Sequence, residues 1–194
     1  MCRKGLQERQ NAVIIIKKDE KRKNKKGRIK KKMDIKKLYI RKAEPADIPT
    51  LQALIKGLAA YEKRPQDMTG TKEQLHYWLF ERKIAAALIA EYDGAAAGYA
   101  LYYPVFGSFA AAGKVHLEDL FLKENFRGCG FGRYFLARTA EAVLAEGYTE
   151  IEWSCLDWNR ASIDFYKKLE AKQETGRVYF AFDKQGLKTA AAWR

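Results

Sequence analysis

The residues best equipped for chemistry lie in one stretch, His116-Leu-Glu-Asp-Leu-Phe-Leu-Lys-Glu-Asn-Phe-Arg-Gly-Cys-Gly-Phe-Gly-Arg133. A strand pattern runs into Arg127-Gly128-Cys129-Gly130-Phe131-Gly132, and helical spacing follows. Glycines let backbone N–H groups converge, and a helix N-terminus adds its positive end, so such a turn can hold phosphates. The spacing of Gly128, Gly130 and Gly132 is not GxGxxG, and no Lys-Ser/Thr follows as in a Walker loop. A plain tight turn between strand and helix would also use these glycines. Upstream, Glu118 and Asp119 set two carboxylates in an otherwise apolar strand. A carboxylate there can attract a cation and take its proton, directly or through water. Glu118 is the candidate base. Asp119 faces the other side of a regular sheet, and a bulge would bring both to one site.

Other reactive side chains offer less. Cys129 lies in the glycine turn near Arg127 and could be a reactive thiol, but a small filler is the preferred reading, since any residue fits the position. Cys155 sits in an apolar strand and reads as inert core. Cys2, Cys129 and Cys155 show no CxxC spacing, and with only His76 and His116 no zinc constellation assembles. Neither histidine has a partner spaced to make it a base, so both read as packing or surface residues.

The elements that must position these groups follow from periodicity. Leu38–Lys42 reads as a first strand. Asp47 offers an N-cap to a helix reaching about Tyr61, with Ile48, Leu51, Leu54, Ile55 and Leu58 on its apolar face. A second helical stretch runs from Thr71 to about Phe80. Ala85–Tyr92 and Ala95–Val105 form a hairpin around Asp93-Gly94, and Val115–Leu122 is the next strand. A helix from Gly130 to Glu146 carries Phe135, Leu136, Thr139, Ala140, Val143 and Leu144 on one face and stops at Gly147. A strand over Glu150–Leu156, a helix over Ala161–Lys168 and a last strand over Arg177–Phe182 complete an α/β domain with a mixed sheet.

The chain has 194 residues, 47% hydrophobic and 31% charged, which fits one globular domain and excludes collagen-like and wholly disordered chains. Three cysteines exclude a disulfide-stapled scaffold. The net charge of +13 divides unevenly. Residues 1–37 carry sixteen Lys/Arg against four Asp/Glu, and residues 38–194 carry twenty-one against twenty. The basic character belongs to a leader, not to a groove on the domain. In that leader, residues 1–37, the run from Lys17 to Lys37 is too polar to pack and is expected to be disordered or a lone exposed helix. It reads as an RNA- or anionic-membrane-binding arm or as translated text upstream of a true start at Met33; the second reading is preferred on composition. Gly94 to Gly113 is uncharged over twenty residues, but its glycines and Pro104 suit a strand and loop better than a membrane span. A cytoplasmic protein without a membrane anchor is expected.

Arg127-x-x-Gly130-x-Gly132 after such a strand resembles the acetyl-CoA pyrophosphate motif of the GCN5-related N-acetyltransferases. Ile40-Arg41-Lys42-Ala43 with Asp47 resembles that family's opening, and Trp158-Asn159-Arg160-Ala161-Ser162-Ile163-Asp164-Phe165-Tyr166 resembles its late segment. Within the family the chain is most similar to the diamine (spermidine/spermine) acetyltransferase group, through Leu54-Ile55-Lys56, Tyr61-Glu62, Tyr102-Tyr103, Leu117-Glu118-Asp119 and Phe165-Tyr166-Lys167. The resemblance spans about Leu38 to Asp183.

It implies a single domain, residues 38–194, with a mixed, mostly antiparallel sheet flanked by helices and splayed at the cofactor site. The backbone of Leu120, Phe121 and Leu122 would pair with the pantetheine arm. The N–H groups of Gly128, Cys129, Gly130, Phe131, Gly132 and Arg133 would hold the pyrophosphate, with Arg127 beside them. Asn159 would anchor the pantetheine, and Tyr166 would give its hydroxyl proton to the leaving thiolate. Tyr61, Glu62, Glu118 and Asp119 would border the amine. A primary amine is almost wholly protonated at pH 7, and supplying its neutral form costs roughly 4–5 kcal/mol, which is the work asked of Glu118. The cofactor is acetyl-CoA and no metal is required. The expected reaction is direct acetyl transfer to a small primary amine, a diamine, polyamine or lysine-like molecule. The rivals are acetylation of a protein N-terminus or lysine, and a nucleic-acid-associated role for the leader. The loop Val105–Lys114 offers no carboxylate for a distal ammonium and Gln173–Arg177 offers only Glu174, so a smaller amine suits the chain better than a long polycation. The resemblance also implies a homodimer whose site is partly built from the neighbour.

Overall fold

A computed structural model describes residues 33–176 and 178–193. The strands are β1 (Leu38–Lys42), β2 (Ala86–Tyr92), β3 (Ala95–Gly107), β4 (Ala112–Leu122) and β5 (Ile151–Trp153). The helices are α1 (Ile48–Tyr61), α2 (Lys72–His76, continued as a π-helical turn over Tyr77–Glu81), α3 (Phe131–Ala145), α4 (Arg160–Lys168) and α5 (Lys184–Ala191). The sheet order is β1-β2-β3-β4-β5, antiparallel except for the parallel β4–β5 pair.

Helices cover both faces, because the sheet buries apolar side chains on both. On one face Leu88, Ala100, Val115 and Leu117 pack with Phe131, Phe135 and Val143 of α3. On the other Ile89, Tyr99 and Phe121 pack with Ile48, Leu51 and Leu54 of α1. The buried stripe of α3 is Phe131, Phe135, Thr139 and Val143, at i, i+4 spacing. Leu144, expected on that stripe, is exposed, since it lies one step round the helix. Asp47 stands before α1 as expected but makes no side-chain cap there. Its carboxylate instead receives Arg41 through two bonds of 2.6 and 2.8 Å, and Arg41 also donates to Glu91 at 2.7 Å. The Arg41 pairing holds the Asp47 carboxyl below its usual range.

Two strands differ from expectation. β5 is three residues, not the seven of Glu150–Leu156, because the chain leaves the sheet after Trp153. No strand forms over residues 178–182, the described part of the expected last strand. Val178, Tyr179, Phe180 and Phe182 favour β structure, but no described strand pairs with them, and all four are exposed. The uncharged stretch Gly94–Gly113 is β3, the turn after it and the first residues of β4. No described helix is long and apolar enough to cross a membrane. Met33 and Ile35 pack against the α3-side core, so the described fold begins a few residues upstream of β1. Residues 1–32 of the leader lie outside the described residues.

Candidate active site

The register of β4 builds the site. Leu101 pairs with Asp119, but its neighbour Tyr102 pairs with Leu117, so Glu118 is an extra residue in a bulge. Before the bulge, Val115 and Leu117 face the α3 side; after it, Leu120 and Leu122 do, and Phe121 faces α1. The bulge therefore resets the alternation and places Glu118 and Asp119 along one groove. β4 and β5 pair only over Val115–Leu117 and Ile151–Trp153. Beyond that point the strands part, and a groove of about 980 Å³ opens between Glu118–Leu122 on one wall and Ser154–Leu156 on the other. This is the expected splay.

The glycine turn closes one end. Gly128 and Gly130 have φ of 73° and 93°, the left-handed region that only glycine enters cheaply. Gly130 is the N-cap of α3, and no side chain caps this helix. Its first-turn N–H groups are left for an outside acceptor. Gly128, Gly130, Gly132, Arg127 and Arg133 line the groove, and a Cβ at Gly130 would meet nothing within 4 Å. The turn's other two residues contribute backbone alone, as expected. Phe131 is wholly buried in the core, and the Cys129 thiol donates to the Phe126 carbonyl at 3.2 Å. These two residues can offer a ligand only their backbone. Arg127 lies across the groove, donating to the Leu122 carbonyl at 2.6 Å with its guanidinium 4.3 Å from the Tyr61 ring centre.

Asn159 and Tyr166 come from α4. Asn159 is buried and caps that helix, its Oδ1 accepting the Ser162 N–H. The same oxygen accepts the Tyr61 hydroxyl at 3.0 Å, joining the end of α1 to the start of α4. Tyr61 thus serves the groove wall as well as bordering it. Tyr166 lines the groove, its ring tilted against Trp153 and Phe165. Burial pushes its hydroxyl up to about 12, so it stays protonated at neutral pH. Cys155, expected in a strand core, stands half-buried on the groove wall beyond β5, its thiol raised by burial.

Three carboxylates share the groove. Asp119 accepts the hydroxyl of the wholly buried Tyr99 at 2.8 Å. Burial pushes the Asp119 carboxyl up to about 6, against the Tyr99 hydrogen bond and with help from the Glu118 and Glu62 charges. Glu62, at the end of α1, is also raised by burial. Glu118 is the most open, with a side chain 52% exposed and its Oε2 accepting the Tyr103 hydroxyl at 3.2 Å. Among the described residues no group of His, Cys, Asp and Glu is placed to hold a metal ion. Sequence spacing missed His116. It faces Glu118 two residues along β4 and Glu152 across the parallel pair, the second contact depending on β5 lying beside β4.

A five-stranded sheet, splayed where a glycine turn opens a helix, is the fold of solved acetyltransferases. An aminoglycoside acetyltransferase from an uncultured soil metagenomic sample matches with a TM-score of 0.67 at 18% identity, over 77% of this chain and 100% of its own. An integron cassette protein of V. cholerae matches at 0.67 and 20%, over 81% and 99%. Residues 51–170 match the Acetyltransferase (GNAT) family, and the chain belongs to that family as an N-acetyltransferase. It is 30% identical over 166 residues to a thialysine N-epsilon-acetyltransferase of Bos taurus, covering 79% of this chain and 97% of the relative. It is 31% identical over 160 residues to a spermidine/spermine N(1)-acetyltransferase-like protein 1 of Homo sapiens, covering 76% of this chain and 23% of that protein.

Proposed function

We propose that the protein transfers an acetyl group from acetyl-CoA to a primary amine of a small cationic molecule, directly and without an acyl-enzyme. The observation that carries the substrate class is the cluster of Glu62, Glu118 and Asp119 on one groove, with burial raising the first and the last. Clustered carboxylates, two of them raised by burial, favour a cationic guest. The thialysine and spermidine/spermine enzymes among its relatives support an amine of the lysine, diamine or polyamine kind.

The residues present fit acetyl-CoA. The uncapped start of α3, at a turn with open space above Gly130, suits a pyrophosphate, with Arg127 and Arg133 adjacent. Leu120 to Leu122 lie where β4 has parted from β5, a strand edge suited to the pantetheine amides although Arg127 already holds the Leu122 carbonyl, and Asn159 lines the same groove. When bound, the cofactor supplies an activated acetyl thioester. Asp119 and Glu62 attract the ammonium ion. Glu118 takes its proton, directly or through water, so that the nitrogen lone pair can attack. Tyr166, protonated, would give a proton to the departing sulfur and regain one from the newly acylated nitrogen.

The reading extends to a homodimer, supported by the exposed apolar run Val178–Phe182 beside Tyr179 of the groove. The test of function is a thiol-release screen of diamines, polyamines, lysine analogues and peptides with acetyl-CoA. Turnover confined to small amines is expected. Turnover only on peptides would establish protein acetylation instead.

A further inference from the structure

The groups around His116 form a chain that the acetyl-transfer reading leaves unused. The imidazole stacks on Tyr103 of β3, ring centres 5.2 Å apart and planes 28° apart. Its Nε2 stands 3.8 Å from Glu118 Oε2 and its Nδ1 stands 3.5 Å from Glu152 Oε1 on β5. Glu152 is itself paired with Lys114 of β4. Tyr103 donates to the same Glu118 oxygen that faces the imidazole. The titratable and charged groups around the ring are therefore Tyr103 from β3, Lys114 and Glu118 from β4, and Glu152 from β5. The imidazole side chain is only 20% exposed, held between the Tyr103 ring and the two carboxylates.

Carboxylates face both ring nitrogens; with the ring proton on Nδ1, toward the nearer Glu152, the Nε2 lone pair faces Glu118. A lone pair facing a carboxylate is favourable only with a proton between them. The arrangement suits a pair that receives one proton, and the second carboxylate, Glu152, balances the imidazolium that results. Catalytic contacts of this length commonly shorten once substrate binds, and the half-exposed Glu118 has the freedom to close the gap.

We propose that His116 is a positioning residue that makes Glu118 and itself one proton-accepting unit, with Glu152 as the counter-charge. This rests on Glu118 being the base. In the step, an N–H bond of the substrate ammonium breaks and its electron pair stays on nitrogen. The proton goes to the Glu118 carboxylate and is shared with His116 Nε2. It passes to water between turnovers. A free imidazole is the stronger base by about two pKa units than a free carboxylate. A partial sensitivity of rate to base strength makes the advantage roughly tenfold.

The test is the pH–rate profile of His116→Asn, with His116→Gln as a second variant should the first fold poorly, and with coenzyme A binding and thermal unfolding as folding controls. The expected result is a fall in kcat/KM of roughly tenfold at pH 7 and an acid limb displaced to lower pH. Glu118→Gln should lower turnover more, and adding His116→Asn to it should cost nothing further. The His116 variants keep both Asp119 and its neighbour Glu118, so the Asp119 ionisation does not account for the displacement. If Glu118→Gln is impaired while the folded His116 variants run parallel to the parent, the proposal is overturned and the base assignment stands. If Glu118→Gln turns over like the parent, the base assignment falls, and this unit with it.

Discussion

Replacing Asp119 by asparagine should stabilise the fold while disabling the enzyme. Asp119 sits inside the groove with its carboxyl raised from 3.8 to about 6, chiefly by burial. A carboxyl whose folded value lies above its unfolded one favours folding below the unfolded value, and that contribution disappears as pH rises through the folded value. At neutral pH the ionised group therefore opposes folding. At 1.36 kcal/mol per unit, a shift of about two units corresponds to roughly 3 kcal/mol at pH 7.5, about half of that at pH 5 and almost nothing at pH 3.5. Asparagine has nearly the same shape and keeps an oxygen to accept the Tyr99 hydroxyl, so Asp119→Asn removes the charge and little else. Urea unfolding of parent and variant across that range should show the variant more stable by roughly 2–3 kcal/mol at pH 7.5, with the difference closing toward pH 3.5. For a protein of this size the neutral-pH gain is about 5–10 °C in Tm. Acetylation should fall at the same time, mainly through a raised KM for the amine. In the parent, that KM should rise as the pH falls through about 6, where Asp119 loses its charge. Equal stability at pH 7.5, or a gain that does not change with pH, would refute the burial argument.

Three further outcomes are expected. Gly130→Ala forces a side chain into φ 93° at the start of α3, costing roughly 1–2 kcal/mol locally, and should weaken coenzyme A binding by calorimetry at least tenfold with the rest of the fold retained. Tyr166→Phe keeps the packing on Trp153 and Phe165 and should lower kcat by roughly 10²- to 10³-fold with acetyl-CoA binding nearly unchanged; parental kcat would show that the hydroxyl only lines the groove. A chain starting at Met33 retains every residue that packs in the described core and should match the full chain in Tm and coenzyme A affinity; a marked drop in either would show that residues 1–32 bind the domain.

Much of the site was legible because its signals are local. A glycine at a helix start, a strand run of apolar residues interrupted by Glu118-Asp119 and the i, i+4 stripe of α3 each depend on a few neighbouring residues. Their periods, 2 and 3.6, are set by backbone geometry. The uneven division of charge is likewise a property of the sequence alone. What it could not specify depends on register and on distant partners. A bulge at Glu118 was conceivable from the Glu-Asp pair, but only pairing with Leu101 and Tyr102 of β3 creates it. Asp119 is buried, and its carboxyl raised against the hydrogen bond from Tyr99, twenty residues earlier, only once β3 and β4 pair. His116 lacked its full set of partners by spacing, because Tyr103 and Glu152 stand on strands that reach it only in the folded sheet. Residues 178–182 carried the residue types of a strand and form none, since a strand needs an edge to join as well as a propensity. Local chemistry marked where the cofactor and the carboxylates lie, and the non-local pairing of β3, β4 and β5 decided which of them share a face, which are buried and which proton each can hold.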